Sequence, residues 1–174
     1  MLTPSPSVVR EGTPGDYLQV WKLFLQGHNE NGLFALAPHK IEWLLTRLLC
    51  PEAIHPADTG LRGAIGVIGP PNALEALCVL TIAEYWYTDE KHLEEFLVYV
   101  DPEYRQSDHA KALVAWMKHQ TDITGIPLLT GIISKERTQA KCRLYGRMLP
   151  KIGEFFLYTG KGGQVTGASS AAFA

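Results

Sequence analysis

The chain has no surplus of basic residues. Sixteen Lys and Arg stand against eighteen Asp and Glu, a formal net charge of −2 with His neutral. Such a balance creates no overall field for DNA, RNA or an acidic membrane surface. Cysteine is also scarce: Cys50, Cys78 and Cys142 are far apart and odd in number. They suit neither a disulfide framework nor a Cys-x-x-Cys metal site, and they point to a reducing compartment. No stretch approaches the roughly 18 uninterrupted apolar residues that cross a bilayer. The opening "MLTPSPSVVREG" lacks the basic-then-apolar order of a secretory signal. These absences predict a cytoplasmic protein with no metal, nucleic-acid or membrane partner.

What is present suits one domain. A chain of 174 residues that is 46% hydrophobic and 20% charged can bury a substantial core. The domain is expected over residues 1–160, followed by a small, polar tail over 161–174 that is loose by composition. No internal repeat is visible.

Read in order, "SVVREG" (7–12) is a short β-prone run. "TPGD" then starts a helix, with Thr13 as N-cap, Pro14 at the first helical position and Asp16 three residues on. Tyr17, Val20, Trp21, Phe24 and Leu25 share one face of it, and "HNENG" (28–32) should break it. A second helix carrying Ile41, Leu44, Leu45 and Leu48 runs from Pro38 to just before Pro51. "PEAIHPADTG" (51–60) reads as a loop and 62–69 as a glycine-weakened buried strand. "ALEALCVLTIAEYWY" (73–87) has helical propensity in its first half. Its β-branched and aromatic second half favours a long strand. "TDEKH" is short enough to make the next strand, 93–100, antiparallel to it. Ala110, Leu113, Val114 and Met117 stripe a third helix, with Lys111, Lys118 and Gln120 turned outward. A strand over 126–134 completes a βαβ unit and hence a parallel pair. A fourth helix over 136–149 and a final strand over 153–160 end the pattern.

The stretch "VYVDPEYRQSDHAKALVAWM" (98–117) runs from strand through polar turn to helix. A helix N-terminus carries unpaired N–H groups and a partial positive charge, so this joint can form an anion site from backbone alone. Arg105 adds a fixed charge with several donors. Most such joints bind only water, and geometry alone does not name the ligand.

The order β-α-α-β-β-β-α-β-α-β resembles the GNAT superfamily of acyl-CoA-dependent N-acetyltransferases. Three segments carry the resemblance, which spans about residues 7–158. "VYVDPEYRQSDHAKAL" (98–113) is similar to the family's pyrophosphate-binding segment, "RTQAKCRLYGRMLPKIGEFF" (137–156) to the helix and strand that follow it, and "VVREGTPGDYLQVWKLF" (8–24) to its first strand and helix. The resemblance implies an α/β, or α+β, fold: a mixed, mostly antiparallel central sheet with a parallel βαβ unit and helices on both faces. It also implies acetyl-CoA as cosubstrate and an amine acceptor. In its terms Val98, Tyr99 and Val100 offer backbone donors to the thioester. Arg105, Gln106, Ser107, Asp108, His109 and Ala110 form the pyrophosphate loop. Tyr145 is the general acid for the leaving thiolate.

Asp108 departs from the pattern, because the family usually has glycine there. Asp can cap a helix or enter a left-handed conformation, but its carboxylate would compete with phosphate for the loop amides. His109 beside it reads as a solvated residue at the helix start, able to offset that charge when protonated. For the general base the candidates are Glu84, Glu94 and Glu95. Adjacent strand residues point to opposite faces, so only one of Glu94 and Glu95 can face the cleft. Spacing to the loop favours Glu94. The acceptor should enter past "HNENG" and the aromatic run Tyr85, Trp86, Tyr87. A homodimer is one assembly this reading admits. Two rivals remain open: a GNAT-like binding module without catalysis, and a phosphate-binding α/β protein of another fold, which would lack the antiparallel strands.

Overall fold

A computed structural model describes residues 3–50, 52 and 62–157. Five strands form one sheet in the sequential order β1-β2-β3-β4-β5: Arg10–Glu11, Ala64–Ile68, Ala76–Glu84, Lys91–Val100 and Leu128–Leu129. The first three junctions are antiparallel and the last, β4 with β5, is parallel. Helices α1 (Tyr17–Asn31) and α2 (Pro38–Leu49) lie between β1 and β2 in the chain. Helix α3 (His109–Thr124) links β4 to β5, and α4 (Thr138–Met148) follows. The mixed sheet with helices packed on both faces is a GNAT-like fold, and its antiparallel β2, β3 and β4 dispose of the rival parallel architecture.

Alternation along the strands feeds two cores. On one face Val20, Leu23, Leu45 and Leu49 of α1 and α2 meet Ile65, Val67, Leu77, Val79 and Tyr99. On the other, Leu113, Val114 and Met117 of α3 meet Ala76, Cys78, Leu80 and Leu93. Each fully buried Leu, Val or Met contributes on the order of 1.5–3 kcal/mol relative to exposure. Gly66 faces α3: a Cβ there would lie 2.8 Å from the Trp116 ring and 2.9 Å from Cys78 Sγ, so glycine is what lets the indole lie on the sheet. Gly27 does the same for α1, since a Cβ would stand 3.1 Å from the ring of Tyr99 and 3.3 Å from Leu97. This close approach brings the last turn of α1, with Glu30 and Asn31, over β4.

Several expected boundaries move. Helix α1 does not break at "HNENG" but continues to Asn31. The helical preferences of His and Asn are only a few tenths of a kcal/mol unfavourable, and Asn31 Nδ2 donates back to the Gly27 carbonyl. Strand β3 ends at Glu84, so Tyr85, Trp86 and Tyr87 form a turn and are exposed by 45, 94 and 67%. The first strand shortens to Arg10–Glu11, and the strand expected over 126–134 pairs only at Leu128–Leu129. Residues 153–157 are exposed and make no strand. Residues 158–160, the tail 161–174 and all of the expected 51–60 loop except Glu52 lie outside the described residues. Among the described residues no helix is long and apolar enough to cross a membrane.

The first helix starts as the sequence pattern predicts, but through one 3-10 turn, Pro14–Asp16. Asp16 is fully buried and accepts from Thr13 N (2.9 Å), Thr13 Oγ1 (2.8 Å) and both guanidinium arms of Arg10 (2.7 Å each). The side-chain bonds of Arg10 outweigh the opposing effect of burial and hold the Asp16 carboxyl at about 2, below the ordinary 3.8. A depressed pKa means that the unfolded chain binds the proton first. The stabilisation is therefore complete above about pH 4 and is lost as pH falls toward 2. Asp16→Asn should cost about 2–3 kcal/mol at neutral pH, as expected for a buried carboxylate with a charged partner. Urea unfolding of both proteins should show that difference shrinking between pH 4 and pH 2.

Candidate active site

Strands β4 and β5 pair only at Leu93↔Leu128 and Glu94↔Leu129. Beyond that point β4 continues to Val100 while the chain after β5 turns away through Gly131–Ser134, opening a cleft of about 290 Å³. Residues 95–100 form one wall and 131–134 the other, with α4 and the end of α1 closing the sides.

A β-bulge shapes the first wall. Val79 pairs with Leu97 but Leu80 pairs with Glu95, leaving Phe96 as the extra residue. Side-chain alternation changes phase there. Leu93 and Glu95 share the α3 face with Val98 and Val100, whereas Leu97 and Tyr99 belong to the other. The carboxylate brought to the cleft is consequently Glu95, and Glu94 does not line it. Strict alternation from the loop pairs Glu94 with Val98 and Val100, and one inserted residue reverses that choice.

The backbone follows its own alternation. Asp101 N donates to the Glu75 carbonyl at 2.9 Å, which marks a hydrogen-bonded pair of the β3–β4 ladder. Counting back by twos, Tyr99 and Leu97 direct their backbone groups to β3, while Val98 and Val100 direct theirs to the open edge. The Val100 carbonyl is taken by Arg105 Nε at 3.0 Å. Tyr99 presents no free amide to the cleft; its buried ring packs in the α1–α2 core and lies 5.6 Å from the Arg105 guanidinium.

From Val100 the chain enters a 3-10 turn, Pro102–Tyr104, capped by Asp101, and reaches α3. Arg105, Ser107 and Ala110 line the cleft; Gln106, Asp108 and His109 do not. Asp108 is the N-cap of α3 with φ −83°, and its side chain makes no capping hydrogen bond. It neither needs a left-handed backbone nor competes for the helix amides, and the first-turn amides of α3 keep no intrahelical partner. His109, expected in solvent, is completely buried. Arg105 is paired with Glu30 of α1, a residue of the nominated "HNENG" stretch whose partner the sequence did not indicate.

A polar cluster lies where β4 and β5 part. Tyr145 Oη donates to Glu95 Oε2 at 2.7 Å, and Thr130 Oγ1 donates to the same oxygen. Burial raises the pKa of Glu95, against the lowering effect of both hydroxyls. Burial and the Glu95 charge push Tyr145 well above its ordinary value. Nearby, Lys141 Nζ donates to Asn31 Oδ1 (2.9 Å) and Ser134 Oγ (2.7 Å), and burial lowers its pKa. Asn31 falls in the nominated "HNENG" stretch. Thr130, Lys141 and Ser134 carry no sequence signal beyond their polarity. The cleft thus holds a partly buried acid, a phenol, a desolvated lysine, open backbone donors and a helix N-terminus.

No protein-family model matches the chain, and no curated protein matches it. Solved structures do. A possible acetyltransferase from Clostridium difficile 630 is 20% identical, with a TM-score of 0.63 over 87% of this chain and 95% of that one. An integron cassette protein from the mobile metagenome of Cole Harbour Salt Marsh is 19% identical, with a TM-score of 0.62 over 90% and 92%. AAC(6')-Iy, solved with the bisubstrate analog CoA-S-monomethyl-acetylneamine, is 14% identical, with a TM-score of 0.64 over 88% and 97%. At these identities the likeness defines the class of fold.

The Tyr145 bond lowers the Glu95 pKa, so its loss should raise that pKa further. A folded-state carboxyl pKa above the unfolded value gives stability that is full at low pH and declines as pH rises through the folded value. Carboxyl carbon NMR titration of wild type and Tyr145→Phe should show Glu95 titrating above the ordinary carboxylate range, and higher still in the variant. An ordinary Glu95 titration in wild type would contradict this account of the cluster.

Proposed function

We propose that this chain is an N-acyltransferase that moves an acetyl group from acetyl-CoA to a primary amine of a small molecule, peptide or protein. One observation carries the reading. The open edge of β4, with the amides of Val98 and Val100, leads from the Glu95–Tyr145 pair directly to the N-terminus of α3. A thioester with a diphosphate at the far end of a narrow arm has that sequence of needs: oxyanion donors, a proton donor for sulfur, and an anion site. The complex of AAC(6')-Iy with a CoA bisubstrate analog supports it by likeness of fold.

In the reaction the amine nitrogen attacks the thioester carbonyl, the C–N bond forms, the C–S bond breaks, and one proton passes from nitrogen to sulfur. The Val98 amide polarises the carbonyl. Glu95 takes the role that sequence spacing assigned to Glu94: it accepts the amine proton. The Tyr145 hydroxyl protonates the thiolate and regains its proton from Glu95, to which it is already bonded. Arg105, Ser107, Ala110 and the first amides of α3 hold the diphosphate, while Gln106, Asp108 and His109 shape the loop behind them. The acceptor enters beside Asn31. Within this reading the protein works in the cytoplasm, with no nucleic-acid or membrane partner.

Thiol release from acetyl-CoA with a panel of primary amines tests the proposal. The rate should fall as pH drops through a value above the ordinary carboxylate range. Glu95→Gln should abolish that limb and lower kcat about 10²-fold or more. No calorimetric binding of any acyl-CoA would refute the function; binding without turnover on any amine would leave a CoA-binding module.

Glu30 already satisfies the Arg105 guanidinium and places a carboxylate beside the diphosphate site. Glu30→Gln should therefore tighten CoA binding by about three- to tenfold, measured by calorimetry at low salt, with the gain shrinking as salt is added.

A further inference from the structure

One residue outside the cleft grips both ends of the 101–109 loop. Glu75, between β2 and β3, accepts Asp101 N on its carbonyl at 2.9 Å, and its carboxylate Oε2 meets His109 Nε2 at 2.7 Å. The first bond fixes the loop where it leaves β4. The second fixes it where α3 begins. Neither side chain is spare: Glu75 is 4% exposed and His109 is 0% exposed. The N-terminal segment completes the network. Ser5 donates its amide to both Glu75 oxygens (3.1 and 3.0 Å) and its hydroxyl to Oε1, and Ser7 Oγ lies 2.8 Å from His109 Nδ1. The Tyr104 ring stacks against the imidazole with centroids 6.3 Å apart.

A fully buried histidine and carboxylate are costly to desolvate and persist only when each polar atom has a partner. Here the partners come from three separate parts of the chain, and all converge on the ends of one loop. The core on this side is already closed by Leu113, Val114 and Met117, so the network adds definition to the loop more than it adds apolar burial. Loop amides bind an anion well only if they converge before it arrives, because ordering them on binding subtracts from affinity.

We propose that Glu75 and His109 are positioning residues, a brace that sets the separation between the end of β4 and the first amides of α3 and so preforms the diphosphate site, with Ser5 and Ser7 locking the brace. The inference rests on the acyl-CoA reading for the identity of the anion. It assigns His109 no contact with the ligand.

The test compares CoA with pantetheine, which has the same thiol arm without phosphates, on wild type, Ser7→Ala and His109→Gln. His109→Gln can keep the bond to Glu75 but loses the one to Ser7, and Ser7→Ala removes a single lock from a partly exposed segment that should still fold. CoA affinity by calorimetry should fall about threefold in Ser7→Ala and about tenfold in His109→Gln, the scale of one lost hydrogen bond. Pantetheine affinity, by competition, should be unchanged in both. In turnover, KM for acetyl-CoA should rise by a larger factor than kcat falls. Equal loss of CoA and pantetheine would reduce the network to general fold support and overturn the brace. CoA affinity unchanged in Ser7→Ala and in any folded His109→Gln would overturn the brace while leaving the acyltransferase reading intact. A wild type that binds no CoA would remove both.

Discussion

The early parting of β4 from β5 is the constraint on which the site depends. Two residue pairs hold these parallel strands together, and then the ladder stops in the middle of the molecule. Unpaired backbone groups in an interior are expensive, so an interrupted ladder requires other partners for them. The Val100 carbonyl finds Arg105, and the remaining groups of that edge face the cleft. The bulge at Phe96 contributes, because an inserted residue bends and twists its strand away from a neighbour. Gly27 then lets α1 close over the same region. Cleft, wall chemistry and cover all follow from one incomplete strand pairing.

Two glutamates, the partly buried Glu95 in the cleft and the buried Glu75 outside it, illustrate how environment separates roles. Burial drives both toward the protonated form. At Glu75 the Ser5 and His109 bonds overcome that tendency, and the pKa falls below its ordinary value. At Glu95 burial prevails over the Thr130 and Tyr145 hydroxyls, and the pKa rises. The difference lies in the donors: an amide, a hydroxyl and an imidazole at the first, two neutral hydroxyls at the second. A carboxylate fixed in its charged form braces a loop. One poised nearer to protonation can exchange a proton.

Much of the architecture was legible because periodicity and punctuation report local structure. Pro38 and Pro51 bracketed α2, the 110–117 stripe located α3, and the βαβ order required the parallel pair. Local signals failed where partners lie far away in sequence. The bulge at Phe96 depends on pairing with β3 and leaves no mark in "KHLEEFLVYV", so alternation alone chose Glu94 over Glu95. His109 looked like a solvated helix-start residue because its partners, Ser7 and Glu75, are 102 and 34 positions away. The final strand expected over 153–160 has the right residue types, but β propensity expresses packing against neighbouring strands, and its residues 153–157 have no strand partner among those described. The pairing of Arg105 with Glu30 was hidden for the same reason, and because α1 runs one turn further than its polar end suggested.

Asp108 stands at the bend of the loop between β4 and α3. A glycine at a loop-to-helix joint is useful when the backbone must take a positive φ or when a Cβ would block a ligand. Asp108 has φ −83°, a conformation open to any residue, and it does not line the cleft. Neither reason for glycine applies to this backbone. Its carboxylate makes no bond to the α3 amides, of which that of His109 donates to Ser107 Oγ at 3.3 Å, and its negative charge would reach an anion in the cleft only through distance and solvent, where screening is strong. What glycine achieves elsewhere by removing a side chain, this loop achieves by being held at Asp101 and His109 through Glu75. A loop fixed at its ends can tolerate an ordinary residue at its bend, and that makes the buried pair behind it, rather than the residue at the bend, the determinant of its shape.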